Sequence, residues 1–259
     1  MNFRKILISL CILLLIVVCG CTKKQGTEES EISGTFENLE KNFSEGDTMG
    51  SFNIQNVEIK RFEQSAFELK DEKIIFIDPY EIETSDKADV VLITHSHYDH
   101  CSIDDIKKII KPDTLIITVA DCQSKLSPIA DQIKNITLVS PGDKLKISAL
   151  DLEVVPAYNI GKMFHPKEQE WIGFIVTLNN LRIYHAGDTD LIPEMSNIKA
   201  DVALLPIGGT YTMNAKEAAE ACKRINPKVA IPMHYGSVVG SNADAEKFKE
   251  ICPAEVKIL

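Results

Sequence analysis

Thr94–Ser102 reads THSHYDHCS and follows directly on the apolar run VVLI, Val90–Ile93. Three of the chain's six histidines and one aspartate fall within His95–His100. The apolar run has the character of a strand buried on both faces. In an extended segment side chains two apart share a face, so His95, His97 and Asp99 point one way and His100 reaches round at the turn. Imidazole and carboxylate together form the donor set that borderline divalent metals prefer. A single cluster cannot close two metal shells and leave room for water. Further donors are therefore sought at other strand ends, and His165 in MFHPK, Asp188 in HAGDTD and His234 in PMHYG are the candidates.

Outward from this cluster the pattern is of short strands. NVEIKRF, SAFEL and KIIFIDP are separated by polar turns, as in an antiparallel meander. After the histidines, Ser102 followed by Asp105 resembles a capping box that opens a helix ending before Pro112. TLIIT, ITLVS, KLKIS and LEVVPAY are the next strands. GFIVTLNNLRIYHAGDT is a hairpin turning at Asn179 and Asn180. DVALLPI, a helix over AKEAAEACKRI capped by Asn214 with Glu217, KVAIPMH, a helix near ADAEKFKEI and a final strand EVKIL complete the chain. Two sets of strands joined by helices predict two sheets packed face to face with helices outside, an α/β class. No internal repeat stands out in the sequence.

At 259 residues, with 44% hydrophobic and 25% charged residues, the chain can bury one full-sized core. The net charge of -10 becomes -12 when Arg4 and Lys5 are left out, which argues against a nucleic-acid partner. It does not argue against a small anionic substrate, because a metal can hold one without a basic surface.

The N-terminus, MNFRKILISLCILLLIVVCGC, has a short basic patch and then thirteen mostly apolar residues, Ile6–Val18. That run is shorter than the ~20 a spanning helix needs and fits a secretory leader. VCGC resembles a bacterial lipobox, with Gly20 before the cleavage point and Cys21 after it. The resemblance implies lipidation of Cys21, a signal peptide over residues 1–20, and a domain tethered to the cell membrane facing outside the cytoplasm. Residues 21–50, rich in Glu, Ser, Gly, Thr and Lys, read as a flexible tether, and residues 51–259 as the folded domain. Of seven cysteines, Cys101, Cys122, Cys222 and Cys252 remain beyond Cys21; no CxxC occurs, and most are expected to pack as small apolar groups.

HSHYDH, then HAGDT, then a strand ending in His234 resemble the metallo-β-lactamase fold hydrolases, over roughly Phe52–Leu259. The resemblance implies an αββα four-layer sandwich of two mixed sheets and a binuclear site at its edge. It implies that His95 and His97 hold a first metal, Asp99, His100 and His234 a second, and that Asp188 bridges the two. Many relatives place the third first-site histidine just after the strand that here reads VVPAYN, where this chain has Asn159. His165, six residues on, is favoured for that place, with an open site or Asn159 as the alternatives. His185 is expected to pack beneath the site.

The cofactors implied are two divalent ions, zinc first and manganese or iron otherwise. Two cations about 3.5 to 4 Å apart lower the pKa of a shared water and leave a bridging hydroxide as nucleophile. Asp99 is the residue expected to orient that hydroxide and take its proton. Tyr211, or the amides of IGGTYT, would support the oxyanion, unless Tyr211 is simply a packing residue.

HSH in place of a His-x-Glu pairing argues against the diiron oxygen-reducing branch. The length argues against the added domain of the nucleolytic branch. The chain most resembles the compact branch that includes ascorbate-6-phosphate lactonases and lipid phosphodiesterases. The expected activity is metal-dependent hydrolysis of a phosphodiester, lactone or related ester. The alternative is a noncatalytic metal- or ligand-binding surface lipoprotein of the same fold.

Overall fold

The computed structural model describes residues 50–148 and 150–259. The leader, Cys21 and all of the tether but Gly50 lie outside the described residues. Among the described residues no helix is long and apolar enough to cross a membrane.

Two seven-stranded mixed sheets carry the domain. In the first, β1 (Ser51–Ile54), β2 (Val57–Arg61), β3 (Phe67–Lys70) and β4 (Ile74–Ile77) form an antiparallel meander. β5 (Val90–Leu92), β6 (Leu115–Thr118) and β7 (Asn135–Leu138) then add in parallel. The second sheet repeats the plan. β8 (Lys144–Ile147), β9 (Leu150–Pro156), β10 (Ile172–Leu178) and β11 (Leu181–His185) are antiparallel. β12 (Val202–Pro206), β13 (Val229–Met233) and β14 (Glu255–Val256) follow in parallel. The two halves thus share one topology, although their sequences show no evident repeat.

Local chemistry explains much of this. Gln55–Asn56 and Asn179–Asn180 take left-handed backbone at all four positions, which is what two-residue hairpin turns require and amide side chains tolerate. The first of these turns separates β1 from β2, a division the sequence reading did not make. β5, β12 and β13 are buried at every residue, as expected of strands covered on both faces.

The flanking helices are α1 (Ile103–Ile109), the short α2 (Cys122–Leu126), which the sequence did not announce, α3 (Ala215–Ile225) and α4 (Asn242–Ile251). α3 opens on a reciprocal capping box, with Asn214 Oδ1 accepting from Glu217 N at 3.1 Å and Glu217 Oε2 from Asn214 N at 2.9 Å. Its buried face is mostly alanine, which lets it approach β12 closely. At α1 only half of the expected box forms. Ser102 caps Asp105 N, but the Asp105 carboxylate accepts from Glu81 N at 3.0 Å and Ile82 N at 3.2 Å instead.

The sheets meet around one continuous apolar core. Polar contacts stitch them at the edge where the parallel strands end. Ile172 N donates to Thr94 O at 3.3 Å, His234 N to Gln64 O at 2.9 Å, and the Phe67 ring meets His185 edge-on at 5.8 Å. The segments following β5, β9, β11 and β13 all open there, so residues far apart in sequence reach one place.

Candidate metal centre

The chain leaves the extended conformation after His95. His100 N and Cys101 N both bond back to His97 O, at 3.1 and 2.8 Å. The strand-like alternation expected over His95–Asp99 is therefore corrected: a tight turn, not a shared strand face, gathers His95, His97, Asp99 and His100.

Asp188 follows β11 through Gly187, whose φ is +64° and where a Cβ would lie 2.6 Å from Ile172 O. His165 and His234 also adopt left-handed backbone, at φ 57° and 56°. Such strain in non-glycine residues concentrates where geometry serves chemistry.

These residues converge on one centre. Donor atoms of His95, His97 and His165 lie within 4.8 Å of one another, as do those of His95, His100 and Asp188, and those of Asp99, His100 and His234. His97 Nδ1 is 3.1 Å from both His95 Nε2 and His165 Nε2. Asp188 sits between the groups, with Oδ2 3.2 Å from His165 Nε2 and 2.9 Å from His234 Nε2, and Oδ1 3.3 Å from His100 Nε2. All seven side chains anticipated from the sequence are thus brought together. Apart from His97, they are buried.

The outward ring edges explain which nitrogens face inward. Thr94 Oγ1 donates to Asp78 Oδ2 at 2.7 Å, so at 3.0 Å from His95 Nδ1 it accepts that ring's N–H. His100 Nδ1 donates to Asp78 Oδ2 at 2.8 Å, and His165 Nδ1 to Tyr211 O at 3.1 Å. Each neutral imidazole has one N–H, so His95 and His165 present bare Nε2 lone pairs to the centre, and His100 would do so once a bound cation displaces its second proton. His100 Nε2 and Asp188 Oδ1 are buried without a hydrogen-bond partner. Converging lone pairs and orphaned buried acceptors are unfavourable by themselves and suit a bound divalent cation.

Electrostatics agree. Burial pushes His95 well below the usual imidazole range, lowers His97, and brings His165 down to about 4, so these rings are neutral donors at pH 7. Burial also opposes charge on His100, but Asp188 and Asp78 together outweigh it and raise that ring well above its ordinary value. Burial likewise opposes the Asp188 carboxylate, yet His100 and His234 hold it well below the carboxylate range.

His185 behaves as expected of a residue beneath the site. Its Nε2 bonds Ser65 O at 2.9 Å and its Nδ1 accepts from Gly187 N at 3.2 Å, leaving no free nitrogen. Asn159 reaches the first group from outside, donating from Nδ2 to Tyr211 O at 2.6 Å and Phe164 O at 2.9 Å. Gly208 of IGGTYT is filled from an unexpected side: a Cβ there would lie 2.5 Å from His234 O, so the glycine admits His234 rather than a ligand.

Four supporting residues escaped the sequence reading. Asp78 holds His100 directly and His95 through Thr94. Gln64 Nε2 donates to Asp99 Oδ2 at 3.3 Å while its carbonyl holds His234 N. Trp171 packs against the first group, tilted to His95 and edge-on to His97 and His165, its ring 4.6, 4.7 and 5.3 Å from theirs. Asp121 accepts from Trp171 Nε1 at 2.8 Å and Ser96 Oγ at 2.7 Å, tying that ring to the motif.

The sequence matches the model of the β-lactamase superfamily domain over residues 58–234. A metal-dependent hydrolase of Staphylothermus marinus is 36% identical over 227 residues, 78% of this chain and 95% of that protein. A crystal structure from Parabacteroides distasonis is 34% identical with a TM-score of 0.70, covering 83% of this chain and 98% of that one. Igni18, a metallo hydrolase of Ignicoccus hospitalis, is 26% identical with a TM-score of 0.64, covering 78% of this chain and 94% of that one.

Proposed function

We propose, from the premise that this chain belongs to the β-lactamase superfamily domain family and is a metal-dependent hydrolase of the metallo-β-lactamase fold, that it works with two divalent ions. His95, His97 and His165 would hold one ion, Asp99, His100 and His234 the other, with Asp188 shared between them. The observation that carries this reading is the meeting of three imidazole nitrogens on one side of Asp188 and a second mixed group on the other. Zinc suits so many imidazoles, with manganese or iron as the alternatives. Such ions supply Lewis acidity and a water acidic enough to act as nucleophile near pH 7.

The chain's own groups then have distinct tasks. Asp99 lines the open cavity, and its Oδ2 is held by Gln64 Nε2 at 3.3 Å, which fixes the carboxylate to receive a proton from the attacking water and pass it on. Thr94, Asp78 and Tyr211 hold the imidazoles in the tautomer that donates inward. The reaction class is hydrolysis of a phosphodiester, lactone or related ester. The lipobox-like leader supports a lipidated Cys21 and action at the outer face of the cell membrane.

The test compares Asp99→Asn with His185→Gln at saturating metal, using chromogenic phosphodiesters and lactones. Loss of the base predicts a fall of ~10² to 10⁴ in turnover for Asp99→Asn. The ring that only supports the site should cost ~10- to 100-fold at most. Near-normal turnover in Asp99→Asn together with a dead His185→Gln would reverse the assigned roles.

A further inference from the structure

Exposed apolar side chains gather at one edge of the domain. Of the six large hydrophobic residues exposed among the described residues, Tyr98, Ile160, Met163 and Phe164 lie on the two segments that carry His97, Asp99 and His165. Met163 is 88% exposed. Tyr98 and Phe164 also line the mouth of the cavity over the centre, beside Tyr211 and Val238. The other two, Leu138 and Ile251, lie on β7 and α4. Apolar surface gathered in one place, rather than scattered singly, marks an interaction site.

Charge is scarce at the same edge. In a chain of which 25% is charged, the rim segments 160–164, 208–211 and 236–240 carry one charged residue, Lys162. Its Nζ donates to Asp190 Oδ1 at 2.5 Å and to Thr212 O at 2.7 Å. Apolar side chains edged with tyrosines suit the interfacial zone of a bilayer, where the ring is buried and the hydroxyl stays among the headgroups.

The segment leading back to Cys21 joins the domain at this edge. Gly50 O accepts from Arg61 N at 2.9 Å. Arg61 Nη2 donates to Tyr235 O at 3.0 Å, next to His234, and Gln64, three residues on, holds Asp99. A flexible chain as long as residues 21–49 averages ~30 Å end to end, less than the ~40 Å breadth of a compact domain of about 210 residues. A lipid on Cys21 would therefore keep the edge bearing Gly50 towards the bilayer.

We infer that the rim of the cavity is a bilayer-docking surface: Tyr98, Ile160, Met163 and Phe164 enter the headgroup zone, and the cavity opens towards the lipid. This rests on the lipidated Cys21 given under Proposed function. The net charge, -10 or -12 without Arg4 and Lys5, and the cleft lined by Glu63, Glu81 and Glu83 offer no attraction to anionic headgroups. Apolar contact with zwitterionic lipid carries the docking.

Photolabelling of the full chain tests it. The chain is reconstituted in phosphatidylcholine vesicles that contain a phosphatidylcholine with a diazirine close to its headgroup. After irradiation and digestion, mass spectrometry maps the adducts and reads the mass at Cys21. Peptides bearing Tyr98 and Met163 are expected to carry at least ~10-fold more adduct than those bearing Leu138 and Ile251, the discrimination that burial of one apolar side chain provides. Met163→Glu should lower labelling at Tyr98 ~10-fold, with metal content unchanged. Even labelling, adducts confined to residues 1–49, or a Met163→Glu chain that labels like its parent overturns the inference. A dimer that forms without vesicles and is broken by Met163→Glu assigns the rim to a second copy and also overturns it. Cys21 without lipid while the rim is still labelled overturns the localisation reading alone, so the two failures are read separately.

Discussion

Asp78 Oδ2 accepts from His100 Nδ1 at 2.8 Å, and the same carboxylate accepts from Thr94 Oγ1 and Thr94 N, both at 2.7 Å. One buried carboxylate thus orients His100 directly and His95 through the threonine hydroxyl. Asp78→Asn keeps the shape but removes the charge and one acceptor. It should weaken divalent-metal affinity ~10- to 100-fold. Titration of apoprotein against a chelating indicator dye reads this directly, and unchanged affinity would remove Asp78 from the account.

His165 and Asn159 make separable predictions. His165→Ala removes a ring nitrogen from the first group and should cost one bound ion. Asn159→Ala removes the bonds from Nδ2 to Phe164 O and Tyr211 O that steady the loop, and should retain both ions with reduced affinity. Elemental analysis after loading and dialysis distinguishes them. The reverse pattern would make Asn159 the ligand.

Much of the centre was legible because HSHYDH, HAGDT and the PMH strand end are short-range patterns of uncommon residues. The strands were legible for the same reason: apolar runs are bounded by turn residues. Asp78, Gln64 and Asp121 were not, because a single common polar residue carries no signal until folding places it beside a ligand from another strand. The duplicated sheet plan escaped because topology repeats here without residue identity. The turn at His97–His100 was misread as strand because periodicity describes regular backbone and this motif is not regular.

Glu68, on β3, is buried, and burial together with neighbouring Asp86 raises its carboxyl to about 7. Its ordinary value is 4.5, so between about pH 4.5 and 7 the unfolded chain loses this proton while the folded chain keeps it. Stability should therefore fall with rising pH across that window and level off above it. Glu68→Gln should change stability little at pH 4 and add about 1 to 3 kcal/mol at pH 8 by urea denaturation. An equal effect at both pH values would contradict the shift.

Cys222, on α3, has its Sγ 2.8 Å from that of Cys252 at the end of α4, both as free thiols. Exchange with an oxidised dithiol reagent, two protein thiols giving one disulfide as the reagent takes up both hydrogens, should join them. The bond closes a loop containing β13 and His234 and should stabilise the fold by about 3 to 4 kcal/mol. Peptide mapping and thermal melts check this. Two thiols that remain titratable after exchange would contradict it.

Counting ions tests the proposed binuclear centre most directly. Apoprotein from residue 49 onward, titrated with zinc and read by calorimetry and elemental analysis, should saturate at two ions per chain. Asp188→Asn, which removes the charge shared by the two groups, should weaken the uptake of both. Saturation at one ion, or none, in the unmutated protein would contradict the account.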